Sequence, residues 1–317
     1  MEGPRREYSR EERFYQVLFA LLSRVGRPFG GIRPRRWTHR VAQKAYWGRP
    51  PGASEFKWHA DRWGSEMLLH PYYAMDYEIM AFGTYGEGVQ RLIEARLRPG
   101  MVFFDLGANI GSVSLHAAWR VGPAGQVHSF EPVPALVDRL TANVSRNRLT
   151  EVIRVHPLAV SNASGKTKIN IAGREVNNQG RASLVDAPAA FAQVEVETIT
   201  LDEFVLREGI EHIDLIKVDI EGAEPLMIQG AQKVLNSPEA PDLIVECNYL
   251  ALAPSGMKPG DLVAMIEECG YEIHALEETG RPGQRLVAAE IPPASFYRSL
   301  LHQEPGGEPG ATRLIRR

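Results

Sequence analysis

The 317-residue sequence predicts an α/β fold built on a mainly parallel sheet, and three observations point to it. From Pro99 onward short apolar strands alternate with helical segments, the pattern a parallel sheet imposes because each crossover is usually a helix. The first of these strands ends in an acid and a glycine-bounded turn, DLGANIG, that leads directly into a helix. The composition is that of an ordinary globular protein, 44% hydrophobic and 24% charged with two cysteines, which sets aside collagenous, disulfide-scaffold and wholly disordered chains. The length suits about two domains of roughly 150 residues, or one large α/β domain with an appendage.

Taken in order, residues 10–25 place Phe14, Val17, Leu18, Leu21, Leu22 and Val25 at helical spacing and predict an amphipathic helix. The stretch up to Pro51 is Arg-rich, broken by Gly30, Gly31, Pro34 and Pro50, and reads as an arm with short helices. Residues 1–50 hold 12 Lys and Arg against 4 Asp and Glu, a net of +8, which leaves −11 on the rest of a chain whose total is −3. Trp37, Trp47, Trp58 and Trp63 crowd the same half, as a substrate-facing cap or as a small helical layer packed on the main domain. Strands follow at Met101–Leu106, Gln126–Phe130, Val152–His156, Ile213–Val218, Leu243–Glu246 and Glu272–Leu276, with a last one near Leu286–Ile291. Helices are expected near Glu87–Leu97, Ile110–Val121, Val133–Asn147, Glu224–Leu235 and Asp261–Cys269. Lys166–Ile171 and Val194–Ile199 break the rhythm as a hairpin or excursion from the sheet. These readings divide the chain into a basic, aromatic-rich helical arm at 1–76, a main domain at 77–302 and a mobile tail at 303–317.

Cys247 and Cys269 stand without CxxC or metal-ligand spacing, so a reducing compartment is expected and a cytoplasmic location with it. The apolar run Val17–Leu22 is far short of the roughly 20 residues that cross a bilayer, and the residues after it, Ser23 to Arg27, do not form a small-residue cleavage site.

The chemistry-bearing residues gather at strand ends. Gly107 and Gly111 allow a ligand to approach the backbone at the helix start. A dinucleotide turn would read GxGxxG, whereas Ala108 follows Gly107 and Asp105 stands just before it. A pyrophosphate repels a carboxylate there, while S-adenosylmethionine, which carries a sulfonium and an ammonium, tolerates one. Glu131 ends the second strand 24 residues after Gly107, where a carboxylate can accept both hydrogen bonds of a ribose diol; capping of the following helix is the alternative.

The blocks MVFFDLGANIGSVSLHAA, VHSFEPVPALVDRLTANVSRN, PLAVSNASG, TLDEFV, IDLIKVDIEGAEPLMIQGAQKVL and LIVECN resemble, in order, those of the FkbM family of S-adenosylmethionine-dependent methyltransferases. The resemblance spans roughly Tyr77 to Ile291. It implies the class I methyltransferase fold, a Rossmann-like seven-stranded, mainly parallel sheet with helices on both faces and one antiparallel strand near the end. It also implies O-methylation of a secondary metabolite, sugar or glycolipid, with S-adenosyl-L-methionine as cofactor. By the same resemblance Asp105, Gly107, Ala108, Asn109 and Gly111 surround the methionine end, Glu131 with Pro132 holds the ribose, and Leu158, Ala159 and Val160 flank adenine. Glu87 sits near a Tyr-Glu block that here is interrupted by Gly86.

In an extended strand Lys217 and Asp219 share a face, with Asp219 at the carboxyl end beside the cofactor turn. Methyl transfer to oxygen needs donor and acceptor within about 3–3.5 Å and a group to take the hydroxyl proton. Asp219 is the first candidate, as base or as an anchor for acceptor or cofactor amine, and Lys217 and Glu221 are counted with it as catalytic. Glu221 and Glu224 bracket the next helix start, where acids complement the dipole. With Asp219 and Glu246 they form a carboxylate cluster able to hold Mg²⁺ through oxygens and waters, although no residue is assigned as a metal ligand. Glu246, Asn178, Gln179 and Ser183 are candidate acceptor-binding residues, the last three in a polar loop that is otherwise a plain turn. His156 ends the third strand, and a lone histidine there is more often packed than catalytic.

Three other functions compete. A dinucleotide oxidoreductase is set aside by the missing turn. A catalytically inactive methyltransferase fold acting as a binding module stays open. An N-acceptor or RNA methyltransferase stays open too, though an NPPY-like motif is absent where VDIEG stands. The expected partner is a small-molecule hydroxyl acceptor and not nucleic acid, with homo-oligomerisation or peripheral membrane contact as roles for the basic arm.

Overall fold

In the computed structural model of the chain the described residues are 56–70, 73–171, 182–183, 192–277, 279–291 and 296–302. They fall into two compact units, one of the described residues up to Tyr85 and one of those from Gly86 onward. The helix expected at 10–25 and the tail at 303–317 lie outside the described residues.

In the first unit β1 (Lys57–Ala60) pairs antiparallel with β2 (Glu66–Leu69). Asp61 closes their turn by accepting from the backbone N–H groups of Trp63 and Ser65, both at 2.9 Å. Helix α1 (Ala74–Phe82) follows and ends at Gly83, whose φ of 77° suits a residue without Cβ. The described part of the aromatic-rich segment thus holds a hairpin where helices were expected, with Trp58 opposite Leu68 and His59 opposite Met67, cross-strand pairs of large side chains that favour a strand.

The second unit is built on one sheet. Its strands are β3 (Val102–Leu106), β4 (Gln126–Phe130), β5 (Ile153–His156), β10 (Leu215–Val218), β11 (Asp242–Asn248), β12 (Ile273–Leu276), β13 (Pro282–Leu286) and β14 (Phe296–His302), in spatial order β13-β12-β14-β11-β10-β3-β4-β5. The five strands from β5 to β11 run parallel, and β14 lies antiparallel between β11 and β12. Helices α2 (Glu87–Arg96), α3 (Ser112–Val121), α4 (Pro134–Arg146), α5 (Leu201–Glu208), α6 (Glu224–Gln229), α7 (Gln232–Leu235), α8 (Tyr249–Leu252) and α9 (Pro259–Glu268) precede or connect them. A second sheet, β6-β9-β7-β8, is made by β6 (Leu158–Val160), β7 (Gly165–Ile171), β8 (Ala182–Ser183) and β9 (Ala192–Ile199), and is the expected excursion.

Strand order decides where a ligand can sit. From β3 the chain winds outward through β4 to β5, and later from β10 through β11 in the other direction. Right-handed crossovers then send the two sets of helices to opposite faces and leave a crevice between the carboxyl ends of β3 and β10. Beneath it Phe104, Leu106, Phe130, Ile216, Val218 and Val245 are fully or nearly fully buried.

Three details differ from expectation. Among the described residues the sheet has eight strands: six lie where expected, and β13 and β14 stand in place of the one expected near Leu286–Ile291. The last strand is not at Leu286–Ile291, where Ala288–Glu290 is a 3-10 turn, but at Phe296–His302, which bonds to β11 on one side and β12 on the other. The helix expected over Glu224–Leu235 is broken at Gly230, where a Cβ would stand 2.1 Å from the carbonyl oxygen of Ser161.

Candidate functional site

The turn after β3 is shaped by three residues in the left-handed region. Gly107, Asn109 and Gly111 have φ of 80°, 52° and 90°. Asn109 tolerates this because its Oδ1 accepts from the N–H of Ile110 at 2.8 Å. Gly107 has no alternative residue, because a Cβ there would lie 1.9 Å from the carbonyl oxygen of Asp219. The turn is tied to β4 by the N–H groups of Gly107 and Ala108, both donating to the Phe130 carbonyl at 3.0 and 2.9 Å. The backbone of the turn after β10 therefore packs directly on the turn after β3.

The register of the strands then builds two rows of side chains on one face. In the lower row Ser129, Asp105 and Lys217 are paired across β4, β3 and β10. Asp105 is fully buried, accepts from Ser114 Oγ at 2.6 Å and lies 3.1 Å from the Lys217 ammonium. Ser129 donates to Ser114 at 2.8 Å. Lys217 also donates to the Gly107 carbonyl at 2.9 Å and stands 3.6 Å from Asp219. Burial disfavours its charge, yet Asp105 and Asp219 outweigh that and raise its pKa above the ordinary lysine value.

One step further along the strands lie Glu131, Gly107, Asp219 and Glu246. Glu131 is 4% exposed; one carboxyl oxygen accepts from the N–H of Asn109 and the other from that of Val133, both at 2.9 Å. It does cap the chain entering α4, and the same two bonds aim it at the turn. Burial pushes its pKa up to about 7 against the pull of those bonds and of Lys217. Asp219 is the more open of the pair with Lys217, its side chain 35% exposed. Glu246 is the cross-strand neighbour of Asp219, and burial first and Asp219 second raise its pKa far above the carboxylate range. Glu224 is buried, accepts from the N–H of Ile220 at 3.0 Å, and is raised to about 7, chiefly by burial. Glu221 is held at φ 53°, so both turns facing the crevice carry a non-glycine residue in strained backbone.

The structure therefore gathers Asp105, Gly107, Ala108, Asn109, Gly111, Glu131, Lys217, Asp219 and Glu246 in one place. Pro132 is half-buried beside Glu131. Glu87, in the first turn of α2, pairs with Arg91 at 2.9 Å. Ala159 and Val160 are buried in β6, which pairs with β9. Asn178 and Gln179 lie outside the described residues, and Ser183 is described only as part of β8. Among the described residues no three His, Cys, Asp or Glu side chains are arranged to hold a metal ion. His156 is a packed residue: its ring stacks on His128 at 5.3 Å and lies 4.8 Å from both Phe130 and Phe204.

Sequence reasoning missed Ser114, Ser129 and Asn143. Asn143 donates from α4 to the Ile110 carbonyl at 2.8 Å and so fastens the far end of the turn. The signal was present in α3, where Ser112, Ser114 and His116 interrupt an otherwise apolar helix. All three are buried, and His116 bonds Gln90 of α2 at 2.6 Å.

Comparisons with known proteins agree on this region. Residues 105–273 match the family model described as the methyltransferase FkbM domain. The chain is 28% identical over 206 residues to methyltransferase sdnD of Sordaria araneosa, covering 56% of this chain and 76% of that protein. It is 28% identical over 208 residues to the 31-O-demethyl-FK506 methyltransferase FkbM of Streptomyces tacrolimicus, covering 57% and 76%. It is 30% identical over 158 residues to the 2-O-methyltransferase NoeI of Sinorhizobium fredii, covering 46% and 63%.

Proposed function

We propose that this chain, which belongs to the FkbM methyltransferase domain family, transfers a methyl group from S-adenosylmethionine to a hydroxyl of a small molecule in the crevice between β3 and β10. The observation that carries the reading is the upper row itself: a buried carboxylate at Glu131, a side-chain gap at Gly107, and an accessible carboxylate at Asp219.

The residues fit that cofactor. Each oxygen of Glu131 takes one backbone N–H and keeps acceptor capacity for one hydroxyl of a ribose diol. Asp105 and Lys217 neutralise each other beneath the turn, so the carboxylates left at its mouth favour a cationic ligand over a pyrophosphate. Asp105, Ala108, Asn109, Gly111, Glu131 and Pro132 would hold the cofactor, with Ala159, Val160 and Glu87 at its margins. When bound, S-adenosylmethionine supplies a methyl group on a sulfonium, a leaving group that needs no metal. Asp219 accepts the proton of the acceptor hydroxyl, with the Lys217 ammonium 3.6 Å away to orient it. Glu221, set by its strained backbone next to Asp219, helps shape the acceptor's approach. Asn178, Gln179 and Ser183 supply the amides and hydroxyl suited to a polyol acceptor.

The relatives are named as an O-demethyl-FK506 methyltransferase and a 2-O-methyltransferase, which favours oxygen as the acceptor atom. The basic arm at 1–50 adapts this core to its acceptor in our reading, ahead of an oligomer interface or an anionic membrane surface. A cytoplasmic setting is part of the proposal and rests on Cys247 and Cys269 as buried free thiols. The test is transfer of label from methyl-tritiated S-adenosylmethionine to 31-O-demethyl-FK506 and to a panel of sugars and polyols. Labelled methyl ether in any of them, abolished by Asp219→Asn with cofactor affinity kept, supports the reading. Binding of S-adenosylmethionine with no transfer to any hydroxyl favours an inactive binding module instead.

A further inference from the structure

Resting on the reading of Asp219 as the group that takes the acceptor's proton, we propose that Glu246 is a positioning residue, a neutral acid whose O–H donates to Asp219 and holds that carboxylate ionised and turned towards the acceptor. This departs from the contact with the acceptor expected of Glu246 from its place at a strand end.

Register brings the two together. Val218 pairs with Val245 in the β10–β11 ladder, so the next residues, Asp219 and Glu246, are cross-strand neighbours on one face. Two carboxyls set side by side on adjacent strands cannot both stay charged without cost, and a proton on one of them lets it donate to the other. Position decides which. Asp219 has the Lys217 ammonium 3.6 Å away and a side chain open to the crevice, both of which favour its charged form. Glu246 is half-buried and faces the acids Asp219, Glu221 and Glu224, with Lys217 the cation it feels and the neutral Cys247 thiol next to it in β11. Burial and three like charges favour its neutral form, in agreement with its raised pKa.

The consequence is a carboxylate clamped from two sides. Lys217 holds one edge of Asp219 and the Glu246 O–H holds the other, while the Asp219 N–H donates to the Leu106 carbonyl at 3.0 Å and fixes the backbone. Glu246 does not give up its proton during turnover. Its part is to keep the base from rotating or protonating between cycles.

The pair is tested without any ligand by carbon NMR of protein labelled at the aspartate and glutamate carboxyl carbons, with Glu246→Gln and Asp219→Asn used for assignment. At pH 7.5 the Glu246 carbon is expected in its neutral form and the Asp219 carbon in its ionised form, and Asp219→Asn should lower the pH at which Glu246 ionises, with burial still holding it above the ordinary carboxyl range. Kinetics then separate a donor from a charge. Glu246→Ala should lower kcat on the order of 100-fold through misplacement of the base, with KM and cofactor affinity little changed. Glu246→Gln, which keeps a donor and no charge, should restore most of that loss and leave the acid limb of the pH profile in place. An ionised Glu246 at pH 7.5 overturns the proposal, as does a Glu246→Gln variant as slow as Glu246→Ala. If the protein binds no S-adenosylmethionine by calorimetry, the methyltransferase reading fails, and the carbon titration still decides the carboxyl pair.

Discussion

Replacing Lys217 by Met should destabilise the protein more than any single surface change, because it strands a buried carboxylate. The Lys217 side chain is 9% exposed and Asp105 is fully buried, with 3.1 Å between their charged atoms. At an effective dielectric constant of about 20 that separation corresponds to about 5 kcal/mol of attraction. Much of this is offset by desolvation of both groups, so the pair itself adds little net stability. Removing one partner is different: it leaves Asp105 with Ser114 alone and should cost about 3–5 kcal/mol. For a domain of this size that is a fall in Tm of roughly 10 °C. Urea and thermal denaturation of wild type, Lys217→Met, Asp105→Asn and the double variant measure it, and the double variant should recover part of the loss because the stranded charge is gone. The sign with pH is also defined. A lysine whose pKa is raised on folding contributes stability below its unfolded value of 10.5, and that stability fades as pH rises beyond it. Lys217→Met should lack this alkaline loss. A Lys217→Met protein as stable as wild type, or strictly additive single variants, would refute the reasoning.

Gly107→Ala should disrupt the crevice from its backbone outward: φ of 80° costs a residue with Cβ about 1–2 kcal/mol, and the Cβ would also press the Asp219 carbonyl at 1.9 Å. Lower Tm together with at least tenfold weaker S-adenosylmethionine binding by calorimetry is expected. Gly64→Ala, where no atom lies within 4 Å of the added methyl, should pay only the strain of its own positive φ, with a smaller fall in Tm and unchanged S-adenosylmethionine binding. The stacked imidazoles of His128 and His156 are held neutral mainly by burial, with pKa values lowered to about 3 and about 4 from 6.5. The unfolded chain therefore binds more protons between pH 6.5 and 4, and stability is lost as the pH falls through that window. A His128→Phe, His156→Phe double variant should gain on wild type by about 2 kcal/mol per imidazole at pH 5 and should show no such gain at pH 8. Equal pH dependence in both proteins would show that the histidines charge freely in the fold.

The parts of this architecture written in local patterns were legible from the sequence. Val102–Leu106, Gln126–Phe130 and Ser112–Val121 are marked by apolar runs and by glycines at their ends, and they form where expected. Elements that required the third dimension were missed. The helix breaks at Gly230, where the Ser161 carbonyl, far away in the chain, leaves no room for a Cβ. Phe296–His302 becomes a strand through pairing on both sides, whereas Leu286–Ile291 reads as apolar and extended yet enters the sheet only through Leu286, opposite Ile273. The site shows the same division. Asp105 with Gly107, Glu131 and Asp219 announce themselves at the ends of three strands. The partners that tune them, Ser114 on Asp105, Lys217 on the Gly107 carbonyl and Glu246 on Asp219, depend on register between strands distant in sequence.

Binding of S-adenosylmethionine in this crevice through Glu131 is the step on which every functional role depends, and one calorimetric titration tests it directly. The full chain should bind one equivalent. Glu131→Ala should weaken that binding by roughly ten- to a hundredfold, the loss expected when hydrogen bonds to a charged acceptor are removed. Absence of binding to the wild-type protein at millimolar S-adenosylmethionine, or unchanged affinity in Glu131→Ala, would contradict it.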